Sequence, residues 1–215
     1  GFFVFNDPKT LELASDKYET QLWLEKRKYP VPDTIKVTTE EDVEKAAKKL
    51  KDYPMVMKII GGSGGRGVIK CEDYEDLLSS CQAIWESIWI ECGERGYKPP
   101  LLIQKFVDGK FDVRVNVIDG VMSHASKRQS ENFRNNLSQD GEATDFKISK
   151  EDKKMCEDIA KELKSEWLGV DLMYSKGDKT PYIIEINTSP GIKVAKEKLG
   201  EDFMTWLNKK FEDLS

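Results

Sequence analysis

The stretch Tyr182-Ile183-Ile184-Glu185-Ile186-Asn187-Thr188-Ser189-Pro190-Gly191 decides how this chain is read. Its first half has the β-branched and aromatic composition of a strand, and Thr188 to Gly191 end that strand. Glu185 interrupts the apolar run and Asn187 follows two residues later. In an extended chain both side chains point to one face, so two oxygen-bearing groups aim at one spot from a rigid strand end. A carboxylate and an amide carbonyl at that spacing suit a hard, oxygen-seeking cation such as Mg2+. Taken alone, the decapeptide fits a strand with one paired charge equally well.

The neighbouring strands tip the balance. Leu168 to Tyr174 reads as a strand with Asp171 among Val170, Leu172 and Met173, and a carboxylate in that company needs a partner. The turn at Gly177-Asp178 brings it back alongside Glu185 and Asn187. Phe111 to Ile118 alternates apolar and polar, so Asp112, Arg114 and Asn116 share a face. Asp119-Gly120 makes a hairpin to a strand over Val121 to Lys127. The lone His124 lies on that strand, where a structural or solvent-facing role is expected. Arg128 to Thr144, holding Phe133-Arg134-Asn135-Asn136-Leu137, is polar, aperiodic and too long for a bare connection, so it reads as a functional loop or lid.

Further upstream, Met55 to Ile60 is an apolar strand with Lys58 inside it, and lysine is rarely buried without a partner. Gly61-Gly62-Ser63-Gly64-Gly65-Arg66-Gly67 leads into a second strand, Val68 to Cys71. Strand, glycine loop and strand make a hairpin, not the strand-loop-helix of a P-loop. Its glycines let backbone N–H groups approach a phosphate closely. Asp7-Pro8 starts a first helix. Ser15-Asp16 caps a second, with Tyr18, Leu22 and Trp23 inward and Lys17 in its first turn, where the helix dipole disfavours a cation, so Lys17 is either bound to an anion or simply solvated. Further helices are expected from Glu40 to Leu50, Asp73 to Cys92, Ser149 to Trp167, Gly191 to Lys198 and Asp202 to Phe211. Leu101 to Val107 is a strand.

The 215 residues carry a formal net charge of -5, and 34% are charged. That is one large domain or two small ones, and the acidity argues against nucleic acid as the main partner. No apolar run approaches a membrane span. Cys71, Cys81, Cys92 and Cys156 form no CxxC pair, and one His adds too little for zinc, so reduced, mostly buried thiols in a cytoplasmic protein are expected.

Together these segments resemble the ATP-grasp superfamily, and within it the RimK-like group typified by the ribosomal-protein glutamate ligase. The match runs in the family's order through Ser15-Asp16-Lys17, Pro54 to Lys58, Gly61 to Val68, Gln104 to Val107, Asp112-Val113-Arg114, Phe133 to Leu137, Gly169-Val170-Asp171 and Glu185 to Gly191. The resemblance implies an α+β ATP-grasp fold of two subdomains whose antiparallel sheets sandwich ATP. Residues 1–34 would be an N-terminal helical segment, 35–107 the small subdomain and 108–215 the large one.

The resemblance also implies roles. Lys17 and Lys58 would bind ATP phosphates, with Gly61, Gly62, Ser63, Gly64, Gly65 and Gly67 closing over them. Gln104, Lys105, Phe106 and Val107 would form the adenine-binding hinge, and Asp112 would lie near the ribose. Asp171, Glu185 and Asn187 would hold two Mg2+ ions, with Mn2+ as a substitute. Arg114, either Lys127 or Arg128, and Asn136 would steady the transferred phosphoryl group. The family's reaction phosphorylates a carboxylate with ATP, and an amine then attacks the acyl phosphate to leave an amide, ADP and phosphate. An amino acid, peptide or protein substrate is implied, with neither nucleic acid nor membrane as partner. The alternatives are an ATP-grasp-like kinase and a nucleotide-binding module without turnover. The family usually carries a further N-terminal domain that this sequence lacks, so a fragment, a minimal form, a homo-oligomer or a partner subunit supplying that surface is expected.

Overall fold

Capping chemistry sets the first elements of the chain, seen in a computed structural model that describes residues 5–61, 67–92, 96–109, 111–129, 142–176, 181–190 and 198–212. Helix α1 (Pro8–Ser15) starts with proline behind an Asp7 cap whose carboxylate accepts the Lys9 N–H at 2.8 Å. Helix α2 (Lys17–Lys26) is capped by Asp16, which accepts from Tyr18 and Glu19 and so fixes Lys17 in the first turn. The buried residues of α2 are Thr20, Gln21 and Leu24, while Leu22, expected inward, is 39% exposed. The helix lines a small cleft against residues 183–186 with Lys17, Thr20, Gln21 and Leu24. That i, i+3, i+4, i+7 stripe is mostly polar, so a search for apolar periodicity overlooks it.

Residues 31–107 form one compact unit; residues 1–30 and 108–215 form the other. The first unit holds β1 (Thr34–Val37), α3 (Glu40–Leu50), β2 (Met55–Ile59), β3 (Val68–Cys71), α4 (Tyr74–Cys92) and β4 (Leu101–Lys105), with strand order β1-β4-β2-β3, all antiparallel. A Thr39–Asp42 capping box starts α3. Val43, Ala46, Ala47 and Leu50 of α3 pack with Leu77, Cys81 and Trp85 of α4 against Met55, Met57, Leu101 and Ile103. Strand alternation turns Val56, Lys58, Leu102 and Gln104 to the other face. At the hairpin the Ile59 N–H donates to Gly67 O at 2.9 Å. Gly67 has φ +70°, and a Cβ there would meet the Ile59 side chain at 2.6 Å, so only glycine closes this turn.

The second unit continues with β5 (Asp112–Ile118), β6 (Val121–Gln129), β7 (Glu142–Asp145), α5 (Lys150–Glu162), β8 (Trp167–Met173), β9 (Tyr182–Asn187) and α6 (Lys198–Glu212). The sheet order is β7-β6-β5-β8-β9. Strand β7 falls in the segment read as loop; it is only four residues long and pairs with the far end of β6. One helix covers 198–212, where the sequence suggests a break between Lys198 and Asp202. Helix α5 packs on β5, β6 and β8, beneath which Val113, Val115, Val117, Leu168, Val170 and Leu172 are fully buried. Helix α6 closes the end of the opposite face, where Trp206, Phe203 and Leu207 pack on Ile118 and Trp167. Cys71, Cys81 and Cys156 are buried free thiols.

Asn6 ties three segments of this unit together. Its Oδ1 accepts from Ser165 Oγ at 2.7 Å, Glu166 N at 2.8 Å and Trp167 N at 3.2 Å, and its Nδ2 donates to Trp167 O at 3.0 Å and Thr188 O at 3.1 Å. Asn6→Ala strands buried donors and acceptors, and a stability loss of about 1–3 kcal/mol is expected in urea denaturation. An unchanged midpoint would mean that water replaces the amide.

Candidate active site

Strand register sets the polar face of the second sheet in rows. One row runs Asp145, Ser126, Arg114, Asp171, Glu185 from β7 across to β9. On one side of it lie Arg128, Asp112, Met173 and Tyr182, and on the other His124, Asn116, Gly169 and Asn187. Neighbouring rows are two residues apart along each strand, save on β9, where a register shift separates Glu185 and Tyr182 by three, so the residues of β5, β6 and β8 in these rows share a face. Asp171 thus stands directly opposite Glu185, with Asn187 one row on.

Two arginines hold Asp171. Arg114 binds it in bidentate fashion, Nε to Oδ1 and Nη2 to Oδ2, the second bond at 2.8 Å. Arg128 Nη2 reaches Oδ2 at 2.9 Å while its Nε binds Asp112 Oδ1 at 2.6 Å. The Asp171 and Arg128 side chains are 8% and 7% exposed. Burial alone would raise the Asp171 carboxyl, but Arg114 and then Arg128 outweigh it and hold it below the usual carboxylate range. Burial pushes the Asp112 carboxyl up; Arg128, which Asp112 shares with Asp171, offsets only part of that, and the Asp171 charge adds to the rise. The cluster sets two guanidinium groups against two carboxyl groups, and among the described residues it uses two of the five N–H groups of each guanidinium.

Register also separates Lys127 from Arg128. Arg128 lies on the polar face, whereas Lys127 points to the other face, its Nζ 4.6 Å from the centre of the Phe111 ring. At the β9 edge Lys17 Nζ lies 3.3 Å from Glu185 Oε1, and the Glu185 side chain is 39% exposed. Asn187 Oδ1 accepts the Ser189 N–H at 2.8 Å, which folds the chain over so that Pro190 covers Gly169. A Cβ at Gly169 would meet Pro190 Cβ at 2.7 Å and Arg114 Cδ at 3.1 Å. Gly169→Ala is therefore expected to cost about 1–3 kcal/mol through overpacking, read as a lowered urea midpoint. Unchanged stability would show that the turn yields freely. A glycine inside an apolar strand is the sequence signal for this close approach.

The other expected site residues, Asn136 apart, lie in the first unit. Lys58 is buried on β2. Gln104 Nε2 donates to Thr34 Oγ1 at 2.8 Å and its backbone pairs within the sheet. The Lys105 N–H donates to Asp33 O at 2.9 Å, so of the expected hinge only Phe106 and Val107 lie beyond the ladder. Gly61 and Gly67 flank the hairpin tip; Gly62, Ser63, Gly64, Gly65 and Asn136 lie outside the described residues.

The donor set on the second sheet fits a divalent cation. Among the described residues no three His, Cys, Asp or Glu converge as a metal site; the oxygen-bearing neighbours of Asp171 on this face of β9 are Glu185, directly opposite, and Asn187, one row on. Asp171 Oδ1 accepts one N–H and keeps a lone pair, as does Asn187 Oδ1, and Glu185 is open to solvent beside a single lysine contact. Two carboxylates and an amide oxygen are hard ligands of the kind Mg2+ takes.

Residues 14–209 match the family model described as a RimK-like ATP-grasp domain. The chain belongs to the RimK-like ATP-grasp family. With that membership go the ATP-grasp fold, the enzyme class of ATP-dependent carboxylate–amine ligase, and the cofactors ATP and Mg2+. This RimK-like chain is similar to a probable alpha-L-glutamate ligase of Legionella pneumophila (strain Corby), 26% identical over 223 residues that cover 100% of this chain and 70% of the relative. In fold it resembles the D-alanine–D-alanine ligase of Bacillus anthracis, with TM-score 0.74 and 20% identity over 97% of this chain and 69% of that one. It also resembles the ATP-grasp ligase PsnB complexed with minimal precursor, Mg and ADP, with TM-score 0.64 and 22% identity over 90% of this chain and 56% of that one. Among the described residues no helix is long and apolar enough to cross a membrane.

Proposed function

We propose that this chain joins a carboxylate to the amine of an amino acid or peptide, through the cluster of Arg114, Arg128, Asp171, Glu185, Asn187 and Lys17. The observation that carries this reading is the single row in which Arg114, Asp171 and Glu185 stand side by side on three adjacent strands. ATP bound with Mg2+ supplies the phosphoryl group that converts the carboxylate to an acyl phosphate, which the amine opens with loss of phosphate and a proton. Asp171, Glu185 and Asn187 are the residues that would hold the metal. Arg114 and Arg128, fixed in place by Asp171 and Asp112, present their remaining N–H groups as preorganised donors to phosphoryl oxygens. Lys17 sits at the positive end of α2, where a phosphate could draw it from Glu185. The relatives named for glutamate ligation and for a precursor peptide support an amino acid or peptide as substrate.

The test is ADP release from ATP and Mg2+ across a panel of amino acids and short peptides, with product masses read afterwards. Release is expected only when a carboxylate and an amine are both present, together with a product lighter than its two substrates by one water. Release indifferent to either co-substrate would refute ligation, and a phosphorylated product without free phosphate would make the protein a kinase.

A further inference from the structure

Asn116 and His124 face each other across β5 and β6, in the row that also holds Gly169 and Asn187. Asn116 is 3% exposed and the His124 side chain 11%. Neither Asn116 Oδ1 nor His124 Nε2 has a hydrogen-bond partner among the described residues. Asp145 Oδ1 is 3.6 Å from His124 Nε2, too far for a hydrogen bond, on a side chain 96% exposed to water. Two buried polar atoms without partners, on residues paired across β5 and β6, cost stability that an apolar pair would not. Such a cost persists where a ligand uses the atoms.

We infer that Asn116 and His124 form the subsite for the amine that attacks the acyl phosphate, an inference that rests on the ligase reading above. The amide oxygen of Asn116 is an acceptor, and a neutral imidazole carrying its proton on Nδ1 offers a second at Nε2. A primary amine brings N–H donors for these two unpartnered atoms. A carboxylate would meet the lone pairs of Asn116 Oδ1 and His124 Nε2 here, with only the Asn116 Nδ2 N–H groups to pair with, and finds guanidinium N–H groups one row away. Asn116 lies two residues along β5 from Arg114, roughly 7 Å, a span that one amino acid can bridge. The amine would thus be held on the same sheet face as the phosphoryl chemistry, by side chains distinct from those that hold phosphate and metal.

His124 is the only histidine in the chain, so its imidazole gives one reporter signal in a proton NMR spectrum of the intact protein. Titration with L-glutamate, L-alaninamide and L-lysine is expected to shift that signal saturably with at least one of them, and glutarate, which has the carboxylates of glutamate without its amine, is expected not to. Asn116→Leu should weaken the response at least tenfold while the unfolding temperature holds or rises, because a buried unpaired oxygen is replaced by an apolar group. In turnover assays the same variant should raise KM for the amine about tenfold and leave KM for ATP unchanged. An equal shift with glutarate, no shift with any amine, or an amine KM untouched by Asn116→Leu would each overturn the inference. The titration needs no turnover, so a failed ligase reading shows separately, as absent ADP release in the wild type.

Discussion

Asp171→Asn is expected to lower the stability of the unit containing residues 108–215 by about 3–5 kcal/mol, the range for breaking a buried ion pair from one side. The geometry sets the size of the effect. Asp171 is the hub of a dry cluster, taking two N–H groups of Arg114 and one of Arg128. Removing its charge leaves Arg114 without its carboxylate and Arg128 with Asp112 alone, at side-chain exposures of 15% and 7%. An uncompensated buried guanidinium is far costlier than a surface one. Urea denaturation followed by circular dichroism gives the measurement, and a loss below about 1 kcal/mol would mean that water already reaches the cluster.

Glu185→Gln, one strand away in the same row, is expected to spare stability. Its ion pair with Lys17 is partly exposed, so stability should change by no more than about 1 kcal/mol. Turnover should fall by about 100- to 1,000-fold, the scale for losing one charged stabilising group at a reacting centre. A fall of less than threefold would remove Glu185 from the metal site. Asp171, buried clamp and metal ligand together, should lose stability and turnover alike, whereas Glu185, a solvent-facing ligand, should lose turnover alone.

What the sequence could reveal follows from which signals are local. The i, i+2 rule places Glu185 with Asn187 and Asp112 with Arg114 on shared faces, and the structure has both pairs so. The caps at Asp7, Asp16, Thr39 and Ser149 were equally readable, because each is a contact over two or three residues. Long-range register was not readable. It decides that Arg128, and not Lys127, joins Asp112 on the polar face, and that the arginines converge on Asp171. The Asn6 bonds reach 159 to 182 residues along the chain and leave no periodic trace. The cleft-lining stripe of α2 escaped because Lys17, Thr20 and Gln21 do not look like a core.

A crystal structure of the protein with ADP and Mg2+ tests the central claim most directly. The account predicts metal bonded at about 2.1 Å to oxygens of Asp171, Glu185 and Asn187, with Lys17 moved off Glu185. Metal bound elsewhere, with Glu185 still paired to Lys17 and no bond to any of the three, would contradict it.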